Sequence, residues 1–169
     1  MRSGHRPANR PISRRQGLVG LAALLTTGWW ARPAWSKESE LPVPASLPEV
    51  AQAAAAQGEP LVLLISLPGC PYCELVRRNY LLPGRSAGWQ AWQLNVRDSS
   101  AALIGFDGQP TNAQLQTRAW KARFTPTVLF FDYRGREVAE RLVGASPDFY
   151  AAYLEERLGI ARQAVRKVR

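Results

Sequence analysis

Histidine appears once in the 169 residues, at position 5, methionine once, and cysteine twice. So few ligands exclude a disulfide-stapled scaffold and nearly every zinc site of the usual four-ligand kind. Acidic residues are absent from the first 36 positions, which hold Arg2, Arg6, Arg10, Arg14, Arg15 and Arg32. The net charge of +9 would ordinarily point to nucleic acid or an anionic surface. Here most of it lies outside the region able to build a core. The chain from Lys37 onward has sixteen basic and thirteen acidic residues, a net +3, and residues 37–161 come to −1. No aromatic and basic residues interleave as a nucleic-acid platform needs, so no nucleic-acid partner is expected.

What is present begins with that basic stretch. An apolar run from Leu18 to about Trp30 follows it, then Ala34 and Ser36. A basic start, a short apolar region and an Ala-x-Ser ending describe a signal peptide over residues 1–36, cleaved after Ser36. Ser13-Arg14-Arg15 resembles a twin-arginine export signal, with ordinary Sec export or an uncleaved anchor as alternatives. The apolar run falls short of the roughly 20 residues that span a bilayer. Export places the protein in the periplasm, touching membrane only in transit. Lys37–Ser46 reads as a linker, residues 47–160 as the domain, and residues 161–169 as a solvated basic tail.

Within the domain, Ser46-Leu47-Pro48-Glu49 is a capping-box signature opening an Ala-rich helix that Gly58 stops. Leu61–Leu67 is a continuous apolar run of strand length, the mark of a strand buried on both faces. Residues 71–82 can form a helix ending before Pro83-Gly84. Gln90–Val96 is a second strand. Ser99–Thr111, with Gly105, Gly108 and Pro110, is an inserted loop. Asn112 can cap a helix with Leu115, Ala119 and Trp120 on its inner face. Thr127–Asp132 is a third strand, turning at 133–136 into Glu137–Val143 as a hairpin. Pro147 opens a last amphipathic helix, which Gly159 ends. This order describes an α/β domain with a mixed sheet flanked by helices.

The chemistry concentrates at Cys70-Pro71-Tyr72-Cys73, directly after the buried strand. Residues three apart in a helical turn have Cα atoms about 5–6 Å apart, within disulfide range. The pair can therefore alternate between dithiol and disulfide with little backbone movement. Cys70, at the helix mouth, meets unpaired backbone N–H groups that favour an anion. A free thiol is only about 3 % ionised at pH 7, so this placement makes Cys70 the nucleophile. Cys73, one turn further in, is the resolving thiol. Pro71 suits the first helical position, and Tyr72 flanks the sulfurs. A structural bridge is disfavoured because so short a loop constrains little of the unfolded chain. Zinc would need two copies sharing cysteines. Neither metal nor cofactor is expected.

The strand, Pro-Gly-Cys-Pro-Tyr-Cys, the helix, and then Phe124-Thr125-Pro126-Thr127 opening another strand together resemble the thioredoxin-fold superfamily, in particular its exported bacterial members. The resemblance covers about residues 47–160. It implies a thioredoxin-like fold, with Pro126 as a cis-proline facing the cysteines and Thr125 offering its backbone to an extended substrate segment. It also implies a thiol–disulfide oxidoreductase, most readily a reductase. Its partners would be protein disulfides or dithiols and a thiol electron donor, met by a monomer. Two departures are visible. Thioredoxin's buried Asp, six residues ahead of the first Cys, is Leu64 here. The glycine pair and acid that glutaredoxins use for glutathione are missing after TVLFFD. The 28 residues between Val96 and Thr125 exceed thioredoxin's stretch, so Ser99–Thr111 is expected as an insertion near the active face. The alternative function is a thioredoxin-fold binding or assembly module holding a client thiol or Cu(I) on Cys70 and Cys73.

Overall fold

The computed structural model describes residues 40–146 and 148–168; the expected export signal, residues 37–39 and Pro147 lie outside them. Helix α1 (Leu47–Ala56) starts where expected, with the Ser46 side chain accepting the Glu49 N–H. It ends in a Schellman motif: Gly58, at φ +73°, sends its N–H to Ala55 and Glu59 sends its N–H to Ala54. Only glycine adopts that φ without strain.

Strand β1 (Leu61–Ser66) is buried along its whole length. It runs parallel to β2 (Gln90–Asn95) on one side and antiparallel to β5 (Thr127–Phe131) on the other. With β6 (Leu142–Val143) the sheet order is β2-β1-β5-β6. Successive side chains of a strand point to opposite faces, and that alternation builds two cores. Val62, Leu64, Val128 and Phe130 face one way, toward the helical segment after the cysteines and toward helix α5 (Tyr150–Val168). Leu61, Leu63, Ile65, Leu129 and Phe131 face the other, toward α1 and helix α4 (Ala113–Ala119). The result is a thioredoxin-like three-layer α/β sandwich with a mixed central sheet, the fold class expected from the sequence.

Several local expectations are corrected. Residues 40–46 are a strap rather than a linker. Leu41 and Pro44 are buried, the Pro42 carbonyl accepts the Gln93 N–H at 3.0 Å, and the Ala45 carbonyl accepts the Ile104 N–H at 2.9 Å. The prolines hold it extended along the edge strand β2, whose outer backbone it partly covers. The helix expected to stop before Pro83 continues. It runs as α2 (Pro71–Val76), a π-turn (Arg77–Leu81) and α3 (Leu82–Ser86). A proline ring strikes the carbonyl four residues back in a regular helix; the wider π-turn, in which the Leu82 N–H reaches the Arg77 carbonyl, places Pro83 in the first turn of the next segment, where its missing N–H costs nothing. Gly84 then lies against Trp89, where a Cβ would run into the indole.

Gly159 does not end α5. The buried stripe Tyr150, Leu154, Leu158 continues through Ala161 and Val165, and Arg162 pairs with Glu59 at 2.9 Å. Residues 161–168, expected as a loose tail, are therefore helical and packed; helical spacing of apolar residues outweighs roughly 1 kcal/mol for one interior glycine. On α4 the Asn112 cap sets Ala113 and Thr117 inward, with Trp120 half-buried, whereas Leu115 and Ala119 point outward. Segment 99–111 forms a small ribbon, β3 (Leu103–Ile104) with β4 (Pro110–Thr111). Its aromatic anchor, Phe106, packs on Phe131 and Trp120. Phe131 pairs with Leu61, at the opposite end of β1 from the cysteines, so this anchor is remote from the dithiol. The hairpin after β5 is interrupted: only Leu142–Val143 forms a ladder, with one further bridge between Phe131 and Glu137.

Candidate dithiol site

The site is built at the C-terminal edge of β1. The strand ends at Ser66, and the chain reverses through Leu67–Gly69, the Cys70 N–H reaching the Leu67 carbonyl at 3.2 Å. Gly69, at φ +74°, permits that reversal. Cys70 becomes the N-cap of α2, with extended backbone and with Pro71 opening the helix. Its Sγ accepts the Cys73 N–H at 3.2 Å, doing with sulfur what a serine or aspartate oxygen does at other helix starts. Both cysteines are free thiols; Cys73 is fully buried and Cys70 partly exposed.

That asymmetry decides their acidity. Partial burial of Cys70 opposes its anion. Hydrogen bonds from the Cys73 thiol and backbone, the Thr125 side chain and the Tyr72 backbone outweigh it and hold Cys70 below an ordinary thiol. Burial pushes Cys73 the other way, and the adjacent Cys70 adds to the rise. The Leu67 backbone and the Ser66 side chain offset it only in part. One thiol is thus partly exposed and held more acidic than usual, while the other is buried and held less acidic.

The remaining expected residues converge on the same place. Thr127 pairs with Ile65, which sets Thr125 and Pro126 beside the end of β1. The Thr125–Pro126 peptide bond is cis, Pro126 is buried, and its carbonyl accepts the Gly144 N–H at 2.8 Å. The Thr127 hydroxyl donates to the Phe124 carbonyl at 2.8 Å, bracing this loop from the inside. Pro71 and Tyr72 lie on the surface, Tyr72 58 % exposed and Phe124 71 % exposed.

Sequence reasoning passed over what lies beneath. Arg77 is 4 % exposed, one helical turn after Cys73. Its guanidinium donates to Ser66 Oγ at 2.9 Å and to Gln93 Oε1 at 2.8 Å, and it pairs with Glu74 and Glu40. The available signal is an arginine four residues after a cysteine, on the face of the helix that turns inward. Among the described residues no group of three or more His, Cys, Asp and Glu stands together to hold a metal ion.

A partly exposed N-cap thiol, a buried partner one turn on and a cis-proline loop at the edge of a mixed sheet define a thioredoxin-fold dithiol protein. Comparison makes the class specific. Residues 47–157 match the thioredoxin-like domain family, and the chain belongs to it. Among curated protein sequences nothing matches. Among solved structures, it is similar to thioredoxin O2 from Arabidopsis thaliana (15 % identity, TM-score 0.48, covering 71 % of this chain and 96 % of that one). It is also similar to mitochondrial thioredoxin 3 from Saccharomyces cerevisiae (16 %, 0.47, 70 % and 93 %). A third is the periplasmic thioredoxin SoxS from Paracoccus pantotrophus (24 %, 0.40, 61 % and 99 %). The fold and the Cys70–Cys73 spacing support thiol–disulfide exchange as the general chemistry of the site.

Proposed function

We propose that the protein is an exported disulfide reductase acting on protein substrates. The observation that carries this reading is the placing of the two free thiols: Cys70 partly exposed at the helix N-cap, Cys73 fully buried one turn on and joined to it through its N–H. The Cys70 thiolate attacks a substrate disulfide, forming a mixed disulfide and releasing one substrate sulfur as thiolate. Cys73 then attacks Cys70 Sγ, closing the Cys70–Cys73 disulfide and releasing the second substrate thiol. Two electrons pass from protein to substrate, and a thiol donor restores the dithiol. Thr125 and Pro126 hold the substrate segment while Tyr72 and Phe124 flank it. The basic N-terminal region supports export to the periplasm, where the protein works as a monomer without cofactor.

Cys70→Ser is expected to reduce insulin disulfides no faster than buffer with dithiothreitol; full retention of activity would overturn the reading. Cys73→Ser is expected to trap a mixed disulfide through Cys70, identifiable by mass. Equilibration with glutathione reads the direction of flow. A potential near thioredoxin's, about −270 mV, fits a reductase, whereas one near −120 mV would make the protein an oxidant. Stoichiometric Cu(I) retained after purification, with slow exchange, would point instead to a metal-holding module. For the export claim, replacing Arg14 and Arg15 by lysines in the full chain should leave it in the cytoplasm if the twin-arginine route is used.

A further inference from the structure

The edge of the sheet that carries the cysteines and the cis-proline also holds a hollow of about 500 Å³, lined by Val96, Thr117, Arg118, Ala122 and Arg123. Two connections fix its place. Val96, next after β2, donates its N–H at 3.0 Å to the carbonyl of Ser66, the last residue of β1, and Cys70 follows four residues on. Arg123 stands three residues before Pro126, in the loop that enters the cis peptide bond. The charge of the hollow is of one sign. Thr117 and Ala122 are buried in its floor, whereas Arg118 and Arg123 are exposed. Among the described residues neither arginine is in a salt bridge, nor are Arg97 and Lys121, the chain neighbours of Val96 and Ala122. The acids closest along the chain are committed elsewhere. Asp98 accepts the N–H groups of Ser100 at 2.9 Å and Ala101 at 3.1 Å, and Glu74 pairs with Arg77 and Arg78. Cations at a helix end can serve its last carbonyls, but those of α4 are taken. Gln116, Thr117 and Arg118 accept from the N–H groups of Trp120, Ala122 and Lys121, and Trp120 accepts from the Arg141 guanidinium at 2.9 Å.

We infer that this hollow is a subsite for a carboxylate: the side chain of an aspartate or glutamate that a protein substrate carries a few residues from its disulfide. The inference rests on the reductase reading above and narrows its substrate class to disulfides with acidic flanks. A guanidinium presents a planar fork of donors that matches the two oxygens of a carboxylate. The Thr117 hydroxyl is spent on the Ala113 carbonyl at 2.8 Å, so the two arginines alone supply the recognition. An amide in the same place accepts hydrogen bonds but brings no charge, and a lysine is repelled. Residues 37–161 carry a net charge of only −1, so the preference arises at this hollow and not from the charge of the body as a whole. Both arginines face solvent, which keeps the effect modest and sensitive to salt.

The test uses the reduced full chain and a set of peptides that differ only in having Glu, Gln or Lys on both sides of a single cysteine, each activated as its thiopyridyl disulfide. Cys70 attacks the peptide sulfur, forming the mixed disulfide, and the thiopyridone released reports the rate. At low ionic strength the Glu peptide should react about fivefold faster than the Gln peptide and the Lys peptide slower than both, the advantage shrinking as salt is added. Replacing Arg118 and Arg123 together by glutamine should bring the Glu-to-Gln ratio close to one. Lys167→Gln, on the last turn of α5, which reaches Gly58 and not the dithiol, should leave the ratio as it is. Should the double variant fail to fold, Arg123→Glu decides, by turning the preference toward the Lys peptide. Equal Glu and Gln rates in the wild type, a ratio that survives loss of both arginines, or one that Lys167→Gln abolishes as well would overturn the inference. So would an advantage shown by glutathione, activated in the same way, and not by the Glu peptide, since the acid would then belong to a small thiol. Fast exchange with all the peptides alike would refute the subsite and leave the reductase reading standing. A wild-type chain that reduces no protein disulfide, yet binds the Glu peptide with serine for its cysteine more tightly than the Gln peptide, would refute the reductase reading and keep the subsite.

Discussion

The two ends of β1 carry opposite kinds of order. At its N-terminal end Leu61 pairs with Phe131, and Phe131 sits in an aromatic group with Trp120 at 4.9 Å and Phe106 at 5.2 Å between ring centres. The turn that follows β5 is locked by Asp132. This fully buried carboxylate accepts the N–H groups of Arg134 and Arg136 at 2.9 Å and the Arg136 side chain at 2.8 Å. These polar contacts hold the chain in its turn. At the other end, the strand runs out into Ser66, an exposed helix start and a cis-proline loop with Tyr72 and Phe124 facing solvent. There the buried Arg77 is held by Ser66, Gln93, Glu74 and Glu40, one helical turn beyond Cys73. One end stabilises, the other reacts, and the six-residue strand keeps them rigidly apart.

Breaking the stabilising end should leave the chemistry of the surviving folded fraction alone. Phe131→Ala is expected to cost about 3–5 kcal/mol, read as a fall in the urea midpoint with the Cys70 alkylation profile unchanged. A shifted profile would mean that the two ends are coupled. Ending the chain after Ile160 removes buried Ala161 and Val165 and the Arg162–Glu59 pair. A loss of about 2–4 kcal/mol is expected, from two small apolar burials and a half-buried ion pair; no loss at all would return residues 161–168 to the status of a solvated tail.

The smallest effect sharpens the reactive end. Because the Cys70 thiol is held below its ordinary value, its iodoacetamide rate should rise with pH and level off at lower pH than for a free cysteine, whose midpoint lies near 8.5. The accompanying stability is present in the reduced protein above the unfolded thiol's pKa. It is lost as pH falls through the folded value of Cys70. Cys73, raised by burial, contributes in the opposite sense: its share is full at low pH and is lost as pH rises through its unfolded and then folded values. A Cys73→Ser protein with an unshifted Cys70 profile would show that the helix start, rather than the second thiol, sets the acidity.

Much of this is legible in the order of residues alone. The apolar run Leu61–Leu67 has the pattern of a doubly covered strand, Ser46 and Asn112 announce their helices, and Cys70 to Cys73 announce the chemistry, because each signal is local. What escapes such reading depends on distant neighbours. Leu41 looks like linker because the β2 edge it covers is some fifty residues away along the chain. Pro83 looks like a helix stop because nothing local foretells a π-turn. Gly159 looks like an end because only the floor of the sheet rewards the apolar stripe beyond it. Ser66 and Arg77 are ordinary residues until folding sets one beside the other.

The sequence by itself therefore determined the class of fold, the cysteine pair and the place of Cys70 at the mouth of a helix. These follow from spacing and backbone geometry over a few residues. Tertiary structure alone decided how completely Cys73 is buried, which groups surround it and that the last helix packs beyond Gly159. Desolvation, the pairing of a buried guanidinium and the packing of a last helical turn are set by elements that meet only when the chain has folded.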